Sequence, residues 1–148
     1  MIQSAEYTCA FLTGGIVYSV IELLWRGYTH WSMTIAGGIC FLAIHLVNTR
    51  FRELHIAWRC AAGCAIITAV EFVIGVAVNL VLDMRVWNYS DMYGNILGQI
   101  CPLFSCLWFL LSYPACRLSS LLRHLFSTVF ERKIENGQID AARTDAAT

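Results

Sequence analysis

The stretch Cys60–Leu82 reads CAAGCAIITAVEFVIGVAVNLVL, and Glu71 is its only charged side chain. A run of roughly 23 residues, rising 1.5 Å each as a helix, covers the ~30 Å of a bilayer's hydrocarbon. A backbone exposed to lipid must satisfy its hydrogen bonds internally, so this run predicts a transmembrane helix. Working outward, similar apolar runs occupy about residues 7–25, 31–47 and 95–113. The expected architecture is all-α: a polytopic membrane protein with four transmembrane helices, arranged as two tandem hairpins. The first run has no Lys or Arg ahead of it, and Glu22 stands where a small-residue cleavage site would lie. It therefore reads as a retained span rather than a signal peptide.

Composition agrees. The chain has 148 residues, 58% hydrophobic and 14% charged, with ten Lys and Arg against ten Asp and Glu. Soluble domains run near 25% charged, and a small one cannot hide this much apolar surface. The balance excludes an ordinary soluble enzyme and a basic nucleic-acid binder. The lipid bilayer is the first partner it implies.

Lys and Arg set the expected orientation. Arg50, Arg52 and Arg59 lie between spans two and three, and Arg117, Arg123, Arg132, Lys133 and Arg143 follow span four. The other two loops hold only Arg26 and Arg85. Both termini are thus expected on the cytoplasmic side of a multi-pass protein of the cell membrane. Trp25, Tyr28, Trp31, Trp87, Tyr89 and Tyr93 would form an aromatic belt at the outer interface. After span four, Leu118, Leu121, Leu122, Leu125, Val129 and Phe130 recur at steps of three and four. This predicts an amphipathic helix over 116–133 lying on the inner leaflet. Residues 134–148 are polar and aperiodic and read as a disordered tail.

The two halves of the chain echo each other. Ser19-Val20-Ile21-Glu22 in span one matches Thr68-Ala69-Val70-Glu71 in span three, a hydroxyl three residues before a carboxylate. Gly38-Ile39-Cys40 is set against Gln99-Ile100-Cys101. The pattern suggests an internal parallel repeat of a helical hairpin.

Carboxylates inside a bilayer are expensive, so they face the bundle interior or a wet cavity. On span three, Cys64, Thr68, Glu71, Gly75 and Asn79 share one face; on span one, Gly15, Ser19, Glu22 and Arg26 do. Either these line a substrate or proton path, or they fasten helices together. Glu22 has Arg26 one turn away and fits the second role. Glu71 has no cation on its own helix, with Arg26 as the long-range candidate partner, and is expected neutral and donating a hydrogen bond. Candidate path residues are Glu71, Glu22, Asn79, Arg26, Gln99, Asn95, Thr68 and Ser19. Gly94 and Gly98 read as a helix-packing pair, and Pro102 as a kink in span four. Seven cysteines lie mostly within spans without a CxxC pair, and His45 and His55 read as polar anchors, so no metal site is expected. No P-loop, HExxH or GxSxG motif is present, and neither cofactor nor enzymatic activity is expected.

Several segments together resemble the bacterial family called putative ABC-transporter type IV. They are Glu22-Leu23-Leu24-Trp25-Arg26-Gly27 with Thr29-His30-Trp31-Ser32-Met33 and Gly37-Gly38; then Glu71-Phe72, Gly75, Asn79 and Val86-Trp87-Asn88-Tyr89-Ser90; then Asn95, Gly98-Gln99-Ile100-Cys101, Ser105 and Trp108. The resemblance covers about residues 11–113 and departs at Asn88, where the family carries Asp. It implies the membrane part of a transporter, coupled to a separate ATPase. Four spans are few for a complete permease, so a homo-oligomer or a partner membrane subunit is implied too. The function expected is a subunit involved in transport of a small solute. The alternative is a non-transporting accessory, scaffold or regulatory subunit of a larger membrane complex.

Overall fold

The computed structural model describes the backbone of residues 2–146 and the side chains of residues 3–130 and 132. Helices α1 (Ile2–Arg26), α2 (Trp31–Arg50) and α3 (Ile56–Gly75) lead through a π-helical turn (Val76–Val81) and a long loop to α4 (Pro102–Ala146). No strand occurs among the described residues, apart from an isolated bridge between Ile96 and Ile100.

Local sequence explains each boundary. Gly27 adopts φ 76°, and its N–H returns to the Leu23 carbonyl at 3.0 Å, closing α1. Histidines cap the next two helices: Nδ1 of His30 accepts from the Ser32 N–H, and Nδ1 of His55 from the Ala57 N–H. His55 is thus a cap at the start of α3. Pro102 sits at the first helical position of α4, where a missing N–H leaves no bond unmade.

Three helical segments, Gln3–Arg26, Trp31–Arg50 and Ile56–Val81, are long and apolar enough to cross a membrane. The fourth element differs from its expected form in three ways. It begins at Pro102, not at residue 95, because Gly94 and Gly98 hold φ 67° and Leu97 holds φ 52°, values no α-helix contains. Gly94 and Gly98 are therefore turn residues rather than a helix-packing pair, and Pro102 opens a helix instead of kinking one. Next, α4 does not stop near residue 113. Cys116, Ser119 and Leu122 are buried, and Leu118, Leu122 and Phe126 pack against Ala10 and Phe41. The helix expected as a separate leaflet-bound element over 116–133 is the continuation of α4, and its first part belongs to the bundle. Finally, the α4 backbone stays helical to Ala146, across most of the stretch expected as a disordered tail; Ala141, Ala142 and Arg143 are good helix formers. Ala147 and Thr148 lie outside the described residues.

The helices pack α1 on α2, α2 on α3 and α4, and α3 on α4, with α1 touching α4 more lightly. The α1–α2 seam is close because Gly14 and Gly37 face each other; a Cβ on Gly14 would lie 2.5 Å from the Gly37 carbonyl oxygen. Apolar clusters sit at the loop end (Met33, Val78, Val86, Trp87) and toward the opposite end (Ile44, Ile67, Cys116). Between them the core is not filled.

Candidate functional site

A cavity of about 220 Å³ lies in the unfilled region, bounded by α1 and α2 on one side and by α3 and α4 on the other. Its wall is apolar, from Val17, Ile21, Ala36, Phe41 and Ile67 to Leu111 and Leu118. Among the described residues, Glu71 of α3 is the one carboxylate in it. The wall residues Val17, Ile21 and Pro114 are exposed, so the mouth lies between α1 and α4.

Glu71 is 7% exposed. Tyr89 donates its hydroxyl to Oε1 at 2.9 Å, and Trp108 donates its indole N–H to Oε2 at 2.7 Å. An indole N–H can only donate, which makes Oε2 an acceptor. Glu71 is expected to be a neutral donor; Oε2 accepts from Trp108, and at 2.9 Å the Tyr89 oxygen can take a proton from Oε1 as well as give one. Burial first, and then the adjacent Glu71, push the Tyr89 phenol upward, which keeps its proton in place for that bond. Aromatic rings run outward from Tyr18 and Trp108 of the wall: Trp108 lies 6.4 Å from Tyr18 and 6.0 Å from Phe104, and Phe104 stacks on Tyr89 at 4.5 Å. Arg26, the long-range partner suggested by sequence, does not reach Glu71. Its Nη2 donates to Glu22 at 2.5 Å and its Nη1 to the Val86 carbonyl at 3.1 Å.

The remaining candidates fall into separate groups. Glu22 is held by Arg26 of its own helix and by the hydroxyl of Thr29, in the loop that follows, at 2.6 Å. Asn79 sits in the π-helical turn and holds the loop 82–101 in place. Its Oδ1 accepts from the Val86 N–H at 2.6 Å and its Nδ2 donates to Oε1 of Gln99 at 2.8 Å. Trp87 closes the same seat by donating to the Gln99 carbonyl at 3.0 Å. Gly75 leaves room for it, since a Cβ there would lie 2.6 Å from Oε1 of Gln99. The loop so held places Trp87 against the cavity and Tyr89 on Glu71. Asn95 is not in a helix; it donates to the Ser90 and Met92 carbonyls and shapes the loop's outer turn. Asn88 accepts from the Ser90 N–H and hydroxyl, bonds that need an oxygen but no charge.

Ser19 and Thr68 behave alike. Ser19 bonds Thr34 of α2 at 2.7 Å, and Thr68 bonds Ser105 of α4 at 3.2 Å. Thr34 and Ser105 are each three residues beyond the first residue of their helix.

A second polar cluster, at the end opposite the loop, was missed by the sequence reading. His45 is fully buried, with Nε2 3.0 Å from Oε1 of Glu6 and Nδ1 2.9 Å from Oγ of Ser119. Asn48 donates to the Cys116 carbonyl, Ser119 and Ser120, and accepts from Arg59 at 2.9 Å. Arg123 reaches Glu6 at 3.4 Å. Four helices meet in this cluster. Glu6 lay just outside the first expected span, and Ser119 within the helix expected on the leaflet, so neither was set beside His45.

The model of a family described as putative ABC-transporter type IV matches residues 25–136. That range begins after Ser19 and Glu22, takes in Glu71, the whole loop 82–101 and Trp108, and runs further into α4 than the resemblance suggested. No curated protein matches the chain, and no solved structure does.

Proposed function

The chain belongs to the putative ABC-transporter type IV family, and from that premise we propose that it is an integral membrane subunit taking part in the transport of a small solute. The observation that carries this reading is Glu71, a buried carboxylate on the wall of an apolar cavity in the middle of the helix bundle. Glu22, by contrast, is paired with Arg26 of its own helix and Thr29 of the following loop and is not among the residues lining the cavity. A buried carboxylate beside open volume is instead placed to meet a ligand or a proton.

In this reading α4 is the fourth span. Thr68 and Cys64 meet Ser105 near its start, and Asn48 meets Cys116 and Ser119 further along, so it follows the other helices from the loop end to the far end. Four crossings put both termini on the side rich in Lys and Arg, the cytoplasmic face of a bacterial inner membrane. Paired hydroxyls at Ser19–Thr34 and Thr68–Ser105 support descent from a duplicated hairpin. Glu71, with its donors Tyr89 and Trp108, belongs to the solute path. Glu22, Arg26, Ser19, Thr68, Asn79, Gln99 and Asn95 hold the helices and the loop around it. With no P-loop in its sequence, the subunit would draw energy from a separate ATPase, as an oligomer or beside a partner membrane subunit.

Affinity capture of the tagged full chain from its native membranes tests the assembly. Recovery of an ATPase subunit is the expected result. Recovery of a larger membrane complex with no ATPase, from which the chain can be deleted without loss of flux, would replace this reading with an accessory or scaffold role.

A further inference from the structure

Resting on the solute-path reading of Glu71, we infer the class of ligand: the cavity takes a small lipophilic monovalent cation, such as a quaternary or protonated amine bearing one apolar group.

Three observations converge on that chemistry. First, Glu71 is a buried carboxylate with neutral donors only. Tyr89 and Trp108 bond its two oxygens, and among the described residues no Lys, Arg or His does. The nearest candidate, Arg26, is taken by Glu22 and the Val86 carbonyl. Two neutral donors do not cancel the charge Glu71 carries when ionised, so a single positive charge in the cavity would complete the site. An anion would be repelled, and a divalent ion would leave an excess charge in an apolar surround. Second, the rings of Tyr18, Trp87 and Trp108 line the same cavity. Aromatic faces attract cations, and quaternary ammonium groups are the ligands such cages hold. Third, the rest of the wall is aliphatic, and the mouth between Val17, Ile21 and Pro114 opens on an apolar flank. A ligand entering there must itself be lipophilic. Size bounds it further. An apolar cavity of ~150 Å³ holds benzene, so about 220 Å³ suits a molecule of roughly nine non-hydrogen atoms, and a slightly larger one where it extends into the mouth.

The test uses the purified full chain in detergent and equilibrium dialysis of labelled benzyltrimethylammonium, which has one ring and one fixed positive charge. The expected result is saturable binding to one site per chain. Glu71→Gln, which keeps the shape and removes the charge, should weaken it by roughly thirtyfold or more, the scale of losing one member of a buried charge pair. Val17→Phe, which keeps Glu71 and fills the mouth, should also weaken it, and this variant stands in if Glu71→Gln lowers yield. Neopentylbenzene, the uncharged analogue of the same shape, should not displace the cation at equal free concentration. Absence of saturable binding to the wild-type chain up to millimolar cation overturns the inference. So does equal binding by a folded Glu71→Gln protein, or equal displacement by neopentylbenzene, which would mark a cavity for apolar chains only. Failure here leaves the solute-path reading standing if Glu71→Gln still abolishes activity in cells; loss of that phenotype as well would remove both.

Discussion

Glu6 on α1 lies 3.0 Å from His45 on α2, carboxylate oxygen to Nε2, and both residues are buried. Ser119 on α4 holds the opposite ring nitrogen of His45. One imidazole thus joins three helices at the end of the bundle away from the loop. Removing it takes one partner from each of two buried groups, leaving Glu6 with Arg123 and Ser119 with Asn48. His45→Leu is expected to cost about 2–4 kcal/mol, the scale of one hydrogen bond to a carboxylate and one to a hydroxyl, whereas Ser119→Ala should cost about 1 kcal/mol. Thermal or denaturant unfolding in detergent measures both. Equal, negligible losses would show that the cluster does not hold the helices.

The same geometry fixes the fate of a truncation. Cutting after Pro114 removes Cys116, Ser119, Leu122 and Arg123, and with them the contacts of α4 to α1 and α2. Membrane yield of the folded chain should collapse. A truncated chain that inserts and unfolds like the full one would restore a leaflet-bound helix, independent of the bundle.

The seat of the loop makes a separate expectation. Asn79→Leu deletes one acceptor and one donor that hold Val86 and Gln99, and Gly75→Val drives a side chain into Gln99 and Trp87. Each should destabilise by about 1–3 kcal/mol. In reconstituted vesicles, residues 82–101 of these variants should become sensitive to protease added from the loop side. Asn88→Asp is expected to leave the loop intact, because the oxygen that Ser90 uses remains.

Much of this was legible in the sequence, for identifiable reasons. The apolar runs over 31–47 and 60–82 fall on helical segments long and apolar enough to cross a membrane, because few other structures need so long an apolar run. The identification of Glu71 followed from the cost of a charge in such a run. The fourth helix starts later than its apolar run suggests, because Gly94, Gly98 and Pro102 make residues 95–101 a turn segment. The lower half of α4 looked like a surface helix because Leu118 and Leu122 alternate with Arg117, Arg123 and serines. Periodicity gives an apolar face but not what covers it; here it is covered by Ala10 and Phe41. The partners of Glu71 could not be read at all. Tyr89 and Trp108 lie 18 and 37 residues away in sequence and are brought to it by the loop and by α4.

Topology follows from the account of α4 as a crossing helix. Reporter fusions after Asn48 and after Thr148 should report the cytoplasm, and a fusion after Asp91 the outside. A fusion at residue 148 that reports the outside would leave three crossings.

The central claim is that Glu71 serves the solute and does more than tie α3 to α4. It is tested most directly by replacing Glu71 with Gln and with Leu in cells, at matched membrane yield, against the phenotype of deleting the gene. Gln keeps the shape and can still accept one hydrogen bond, so Glu71→Gln should unfold near the wild-type temperature and yet fail to complement the deletion. Glu71→Leu should fail as well and also lose about 1–2 kcal/mol of stability, the scale of an interhelical hydrogen bond in a membrane. A Glu71→Gln protein that complements fully would contradict the account and make Glu71 a structural tie.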